Sequence, residues 1–457
     1  MAIDILVIGA TGYTGRLVTR YLIAHRERES FSLGLAARNT AKLSAFVDGL
    51  DITPSNSVPI FGVRDIQDKD ALEKLFRDNG VKVVLSTVGP YQLYGRAIVE
   101  ACASTGVNYV DICGESTFVK DIIISFDYLA AKTGAILVPS GAFDSVPSDL
   151  LAYLSARTMG EELSKLLGDG DGGDEDKKLE EVGVRDSHTM ISFKGAGASG
   201  GTLNSMLTQI SNFPRHVLLE LERPDCLSPM EVVRTAPSRL VHTFPSFVTS
   251  RIPNLKNVVG YNLPLTPFNI TIVQRTRGLF GLARYKRSTG DDDEYIKPAY
   301  APDFLYTESF TASNRVSAFF LSVTFAVGLA ALLYIPPLRW ITRKLVTQPG
   351  DGPKDEALGR GYLHAENVSI SSPLPITDKL VLVKSTMDGK GDPGYALTAV
   401  MVSECALGLL SPREKLPAIA QRGGVLTPMV ALGTILVKRL SASGRFEFES
   451  EVVGGDN

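Results

Sequence analysis

This 457-residue chain has few of the residues that would mark a secreted, metal-binding or nucleic-acid-binding protein. Its four cysteines, Cys102, Cys113, Cys226 and Cys405, stand apart with no C-x-x-C pair, as in a reduced compartment rather than a disulfide framework. The five histidines show no H-E-x-x-H or comparable spacing, so no metal site is expected. With 47 Lys and Arg against 50 Asp and Glu, the net charge is −3 and no broad basic surface argues for a nucleic-acid partner. No internal repeat is visible. The first apolar run is only strand-long and lacks a basic leader, so no secretory signal is expected. The sequons at Asn269 and Asn367 then carry no meaning on a cytosolic-side chain. No Ser-His-Asp or Tyr-x-x-x-Lys arrangement stands out. The length suggests two or three domains with sizeable cores.

What is present begins at once. Residues 3–15 read I-D-I-L-V-I-G-A-T-G-Y-T-G, an apolar strand running into a glycine turn. A strand of this kind can be buried on both faces, as a central parallel strand must be. Gly9 permits the tight turn, Gly12 lets a pyrophosphate approach the backbone, and Gly15 lets the next helix lie close to the sheet. That helix, expected from Gly15 to His25, would turn its free N–H groups toward phosphates across Thr11, Tyr13 and Thr14. Strand, glycines and amphipathic helix together make a dinucleotide-binding fingerprint. The second strand, expected over Ser32–Ala37, closes on Arg38, where an NAD site usually places an acid for the ribose hydroxyl. A planar guanidinium suits a 2′-phosphate, so NADP(H) is favoured over NAD(H). The plain alternative is a solvated Arg at a strand end.

The βα rhythm continues with a strand near Pro59–Val63, a helix from about Asp68 to Asp78, and an apolar strand at Val81–Val88. Asp65 stands where such folds often hold the adenine amino group, or caps the following helix. The fourth strand ends in G-P-Y-Q-L-Y-G, Gly89–Gly95, including Pro90, Tyr91 and Tyr94. A helix (Arg96–Thr105) and strands at Tyr109–Ile112 and Ala135–Pro139 follow; these strands end in C-G-E and S-G-A-F-D-S. Three successive strand ends thus converge on the edge where ligands bind in open α/β sheets.

Beyond this half the signals change. Residues 168–178, G-D-G-D-G-G-D-E-D-K-K, read as an acidic flexible loop. Alternation at His188–Phe193 and Phe268–Arg275 suggests strands of a second, mixed sheet. The glycine-rich Lys194–Leu203 opens a helix, either as a simple connection or as a loop reaching substrate or cofactor across a cleft. Val316–Ile335 is 20 uncharged residues, about 30 Å of helix, stopped by Pro336-Pro337 and followed by Arg339, Trp340, Arg343 and Lys344. An aromatic–basic cluster after an apolar run reads as a membrane-surface anchor; a buried helix or an oligomer interface is the alternative. The apolar helix expected over Asp392–Leu410 would pack back on the N-terminal sheet, leaving both flanks of the anchor on one side. That favours monotopic insertion over a single crossing.

G-A-T-G-Y-T-G, G-P-Y-Q-L-Y-G, D-I-C-G-E, G-A-F-D-S-V-P-S-D-L, D-P-G-Y-A-L-T-A-V-M and G-G-V-L-T-P occur in this order. The set resembles the saccharopine dehydrogenase-like oxidoreductases and their bacterial relatives, the trans-acting enoyl reductases, over residues 5 to about 440. The resemblance implies an α/β fold: a doubly wound Rossmann sheet completed by C-terminal helices, with an inserted α+β domain. It also implies an NADP-type cofactor and, in eukaryotic members, membrane or lipid-droplet association. The expected layout is 1–150 with 392–445 as the NADP-binding domain and 151–391 as the substrate or dimerisation insert. The acidic loop at 168–178 and an anchoring segment at 316–346 lie within that insert. No clear set of charged residues for an amino-diacid such as saccharopine stands out.

The expected function is NADP(H)-dependent reduction of an enoyl or carbonyl group on a lipid-linked substrate, at the cytosolic face of a membrane or lipid droplet. Such chemistry needs a carbonyl-polarising donor and an acid to protonate carbon. The candidates are Tyr91, Tyr94 and Asp144; the two phenols could equally form an aromatic wall. Cofactor candidates are Gly9, Thr11, Gly12, Tyr13, Thr14, Gly15, Arg38, Asp65, Gly89, Pro90 and Glu115. Glu115 and Asp144 could each position the nicotinamide ribose, relay a proton or cap a helix. A non-catalytic NADP(H) sensor or a lipid-droplet scaffold remains the alternative, and a homodimer is a possible assembly.

Overall fold

The computed structural model describes residues 2–50, 57–167, 182–196, 200–221, 223–232, 240–244, 247–250, 258–261, 266–287, 299–345, 352–375 and 378–453. Its first half alternates strand and helix. β1 (Ile5–Ile8), α1 (Tyr13–Ile23), β2 (Leu33–Ala37), α2 (Thr40–Asp48), β3 (Ile60–Gly62) and α3 (Lys69–Asp78) come first. β4 (Val83–Ser86), α4 (Tyr91–Tyr94), α5 (Arg96–Thr105), β5 (Asn108–Asp111), α6 (Ser116–Thr133), β6 (Ile136–Val138) and α7 (Val146–Leu167) follow. Each expected strand of this half is present, its ends differing from the expected ones by no more than two residues. The acidic run at 168–178 lies outside the described residues.

The second half carries β7 (Val184–Lys194), α8 (Gly200–Asn212), α9 (Arg215–Glu220), β8 (Val241–Phe244), β9 (Phe247–Ser250) and β10 (Val258–Tyr261). Next come α10 (Thr266–Arg287), β11 (Tyr300–Thr311), α11 (Arg315–Tyr334), α12 (Pro336–Leu345), β12 (Tyr362–Ser371) and β13 (Leu382–Lys390). The chain ends with α13 (Thr398–Gly408), β14 (Gly424–Val425), α14 (Pro428–Leu432), α15 (Thr434–Ala442) and β15 (Phe446–Val452).

Seven strands form a parallel sheet in the order β14-β6-β5-β4-β1-β2-β3. Strand order reverses between β1 and β4, the switch point at which such sheets bind ligands. The apolar run of β1 is buried throughout because helices cover both faces. One covering layer comes from far along the chain. α13 lies on α1, β4 and β5, and β14 extends the sheet beside β6, so C-terminal elements complete the Rossmann unit. Glu404 of α13 fixes this closure. Its buried carboxylate accepts from Tyr21 Oη at 2.5 Å, His25 Nε2 at 2.9 Å and Arg439 Nε at 2.8 Å.

The second sheet has eight strands in the order β15-β13-β12-β7-β11-β10-β9-β8. It is antiparallel except for the β7–β11 pair. His188–Phe193 belongs to β7 as expected, but Phe268–Arg275 lies in helix α10, correcting the strand expected there. α10 is buried on nearly every side, so its polar residues face protein as much as its apolar ones and no amphipathic stripe shows in the sequence. Asn269 Nδ2 donates to Glu308 at 2.9 Å, and Arg275 donates to the carbonyls of Leu227 and Val425, each at 2.6 Å. Asn269 and Asn367, the two sequon asparagines, are both buried in side-chain hydrogen bonds.

The uncharged segment forms α11, the one helix among the described residues long and apolar enough to cross a membrane by length and composition. Only Ala318 of its side chains is buried. Asn314 caps its start with a reciprocal Ser317 box, and Pro336-Pro337 turns the chain into α12.

Candidate functional site

The turn after β1 is a backbone cradle. Gly9 has φ +92°, a conformation that favours glycine, and its N–H donates to Ala36 O at 3.0 Å. A Cβ on Gly15 would stand 2.2 Å from Gly9 O, so only glycine lets α1 approach the turn. Gly12 is the N-cap of α1 and makes no side-chain cap bond, which leaves the helix's positive end open to an anion. A Cβ-free cradle at a helix N-terminus fits a dinucleotide pyrophosphate.

A cavity of about 1350 Å³ opens from this cradle. Its first wall holds Gly9, Thr11, Gly12, Tyr13 and Thr14, with Arg38 and Lys42 beyond the end of β2 and Gly89, Tyr91 and Tyr94 beyond β4. Glu115 and Asp144 face it from the ends of β5 and β6. Its other wall is built by α8, α9, α11 and α12. Three candidates are placed elsewhere. Gly15 is buried against Gly9, while Pro90 lies beneath α4, its carbonyl accepting from Leu93 and Tyr94 N–H at 3.1 Å. Asp65 is exposed and accepts from Gln67 N–H at 2.9 Å, a turn bond outside the cavity lining.

Arg38 and Lys42 are exposed, and neither has a carboxylate partner among the described residues. Two cations beside the end of β2, with no acid between them, fit a 2′-phosphate.

The strand-end polar residues differ in what they touch. Tyr91 is buried, its Oη donating to Ser86 O at 3.0 Å and accepting from Ile112 N–H at 3.3 Å. The phenol ties β4 to β5, and burial pushes its pKa well up, so it keeps its proton in these bonds. Tyr94 is only partly buried and keeps its place on the cavity wall. Glu115 accepts from Tyr91 N–H at 2.8 Å and Gln92 N–H at 2.9 Å, so it caps the short α4 rather than the helix it precedes. Burial raises the Glu115 carboxyl; the N–H groups of Gln92 and Tyr91, and Ser205 of α8, oppose that shift.

Asp144 is the exception. Its carboxylate lines the cavity with no hydrogen-bond partner among the described residues, and burial raises its pKa to about 6. Gly114 makes the room, because a Cβ there would lie 3.1 Å from Asp144 Oδ2. The neighbouring Asp111, also raised to about 6 by burial, is engaged instead: it accepts from Tyr109 Oη, Cys113 N–H and Ser140 N–H. Asp111 thereby shapes the two loops that carry Glu115 and Asp144. Its position inside the D-I-C-G-E motif signals a special residue but not this scaffolding task.

Several lining residues were not singled out from the sequence. Asp392 accepts from Tyr395 N–H at 2.7 Å and Ala196 N–H at 2.6 Å, bringing the start of the second glycine-rich segment to the cavity. Gly195 lines it, whereas residues 197–199 lie outside the described residues. Tyr395 packs edge-on against Tyr13 with ring centroids 5.1 Å apart. Among the described residues, no three His, Cys, Asp or Glu side chains cluster as metal ligands.

Fold and cradle define the class first: a Rossmann dinucleotide-binding protein whose nucleotide cleft continues between the helices α8, α9, α11 and α12. Comparison with known proteins narrows it. The model of the saccharopine dehydrogenase NADP binding domain matches residues 5–138. A Mycobacterium tuberculosis protein provisionally named trans-acting enoyl reductase is 33% identical over 453 residues, covering 96% of each chain. A provisionally named mitochondrial saccharopine dehydrogenase-like oxidoreductase of Arabidopsis thaliana is 25% identical over 490 residues, covering 98% of this chain and 97% of its own. The apo saccharopine dehydrogenase (L-Glu forming) structure from Saccharomyces cerevisiae aligns with 99% of this chain and 100% of its own at 14% identity and a TM-score of 0.48.

The chain belongs to the saccharopine dehydrogenase-like NADP-binding family, related to the bacterial trans-acting enoyl reductases. It is an NADP-dependent oxidoreductase.

Proposed function

We propose that this oxidoreductase reduces an enoyl or carbonyl group on a lipid-linked substrate at a membrane or lipid-droplet surface. The observation that carries the reading is Asp144, a carboxyl with no hydrogen-bond partner among the described residues and a pKa raised to about 6, facing the cavity beside the nucleotide cradle. Backbone N–H groups around Gly9–Thr14 would hold the pyrophosphate, and Arg38 with Lys42 the 2′-phosphate. Bound NADPH supplies a hydride. Asp144 holds the proton for the substrate carbon, and the Tyr94 phenol, on the cavity wall, would donate a hydrogen bond to the substrate oxygen. Glu115 keeps α4, and hence Tyr94, in place through its two backbone bonds.

Two observations support a lipid surface. α11 exposes apolar side chains over most of its length, and α12 adds exposed Trp340 and Ile341, with Lys344 Nζ 3.6 Å from the Trp340 ring centroid. In addition, β11 before the pair and β12 after it both pair with β7. Both flanks therefore lie on one side, which supports in-plane attachment over a single crossing.

Lipid extracts of a null strain, compared with wild type, identify which species accumulates. That species should drive NADPH oxidation by the purified chain in phosphatidylcholine vesicles. An unchanged lipid profile, or accumulated lipids that leave NADPH unoxidised, would overturn the reading.

A further inference from the structure

α11 has two apolar faces. Val316, Phe320, Val323 and Val327 recur at spacings of four, three and four residues and are exposed. Thr324, Phe325, Gly328, Leu329, Leu332 and Leu333 turn the other way and line the cavity. At about 100° per residue Phe325, Gly328, Leu329 and Leu332 centre on the side opposite the outer stripe, with Thr324 and Leu333 at the flanks of that inner face. α11 is therefore a one-helix wall, apolar on the cavity side and apolar on the outside. The cavity lining opposite it, Met206 and Ile210 of α8 with Leu218 and Leu219 of α9, is apolar too. The cofactor end, by contrast, holds Asp144, Glu115 and Tyr94.

The apolar arm reaches the surface. Leu219 is 64% exposed and Tyr334 62% exposed, yet both line the cavity, so it opens where α11 turns into α12. Arg215 stands at this mouth with its guanidinium carbon 3.8 Å from the Tyr334 ring centroid and no carboxylate partner among the described residues. Exposed Trp340 and Lys344 lie on the adjoining helix.

We propose that this arm is an acyl-chain site, loaded sideways from the lipid phase through the α11–α12 mouth rather than through the nucleotide cleft. The inner face from Thr324 to Leu333 offers about 14 Å of apolar wall, which seats a chain with its functional group toward Asp144. The inference rests on the lipid-substrate reading and adds where the chain lies and which way it comes in. Free aqueous metabolites have no use for a mouth rimmed by Leu219 and Tyr334.

Gly328 provides the test. It sits on the inner stripe, and a Cβ there meets nothing within 4 Å, so a large side chain projects into the arm without a backbone clash. The full chain is mixed with phosphatidylcholine vesicles in which one acyl chain carries a diazirine, irradiated, and its adducts are mapped by mass spectrometry. Wild type should carry adducts on Met206, Ile210, Leu329 and Leu333. Gly328→Trp should lose them by about tenfold or more, the scale of one excluded apolar contact. Its adducts on Phe320 and Val327, vesicle flotation and NADPH binding should be unchanged, and Gly328→Ala should label as wild type.

Absence of inner-face adducts in wild type, or adducts indifferent to Gly328→Trp, overturns the proposal. Repeating the labelling in mixed micelles of the same lipid reads the arm even if the protein does not dock on vesicles. Labelling requires no turnover, so a failed reductase assay overturns the proposed reaction without touching this site.

Discussion

Asp144 and Tyr91 both stand at strand ends on the same cleft, yet of the two only the Tyr91 side chain has hydrogen-bond partners among the described residues. A strand-end position fixes where a Cα lies; the path of the side chain is set by packing, and Tyr91 spends its phenol on Ser86 and Ile112. Asp144→Asn should lower kcat by about 10²- to 10⁴-fold while leaving NADPH affinity intact. The proton donor must be protonated. With a folded pKa of about 6, wild-type kcat should fall about tenfold per unit as pH rises above that value. Stopped-flow NADPH oxidation across pH checks this, and a falling limb that survives in the Asn variant would assign the proton to another group. The glycine turn, by contrast, was legible residue by residue, because φ +92° at Gly9 and the 2.2 Å approach at Gly15 leave no other residue a place. The place of Arg38 on the cavity lining was legible too, since it closes β2 at the ligand edge of the sheet; its role on a 2′-phosphate is a proposal. Arg38→Glu should weaken NADPH by about 10- to 100-fold, as loss of charge-assisted bonds predicts, and barely alter NADH. Fluorescence titration with both nucleotides measures it; equal loss would refute the 2′-phosphate role.

At the scale of elements, the Rossmann half was legible because each strand there is buried on both faces and reads as a short apolar run between turn residues. α10 was not. In F-N-I-T-I-V-Q-R the period-two pattern comes from a helix whose polar side chains are as buried as its apolar ones, their partners supplied by distant residues such as Glu308 and Asp149. No local periodicity encodes such partners. The return of α13 was foreseen from its long, mostly apolar run, but the pin that holds it, Glu404, sits as a lone acid within that run. Burial pushes the Glu404 carboxyl up; bonds from His25 and Tyr21 and the charge of Arg439 outweigh it, so its pKa lies below the ordinary value. Its stabilising contribution is therefore present above the ordinary carboxylate pKa and is lost as pH falls through the lowered folded one. Glu404→Gln should cost about 3–5 kcal/mol, because Arg439 and the α1 partners lose a buried charge between them. Urea unfolding at neutral pH measures the loss, and the gap between variant and wild type should narrow in acid.

At the scale of the molecule, the order of strands constrains how this protein can meet a lipid surface. β11 and β12 flank β7 in one sheet, and α11–α12 is the excursion between them. A helix that crossed a bilayer would have to return within that excursion, and the inner stripe of α11 is already engaged as cavity wall. The outer stripe is then the surface left for lipid. Changing Val316, Phe320 and Val327 together to Gln alters only exposed positions, so urea stability and NADPH binding should hold within experimental error. Each apolar side chain buried in lipid is worth about 1.5–3 kcal/mol, so losing three should weaken flotation on phosphatidylcholine vesicles by far more than tenfold. In sealed vesicles, protease sites engineered before Arg315 and after Leu345 should be cut together from the outside. Protection of one but not the other would make α11 a crossing helix, and flotation unaffected by the triple change would move the attachment to another face. The combination expected, release by changes on the outer stripe and plugging by Gly328→Trp on the inner one, would separate the two faces of a single helix, one proposed to hold the enzyme to the lipid and the other to pass the lipid to the enzyme.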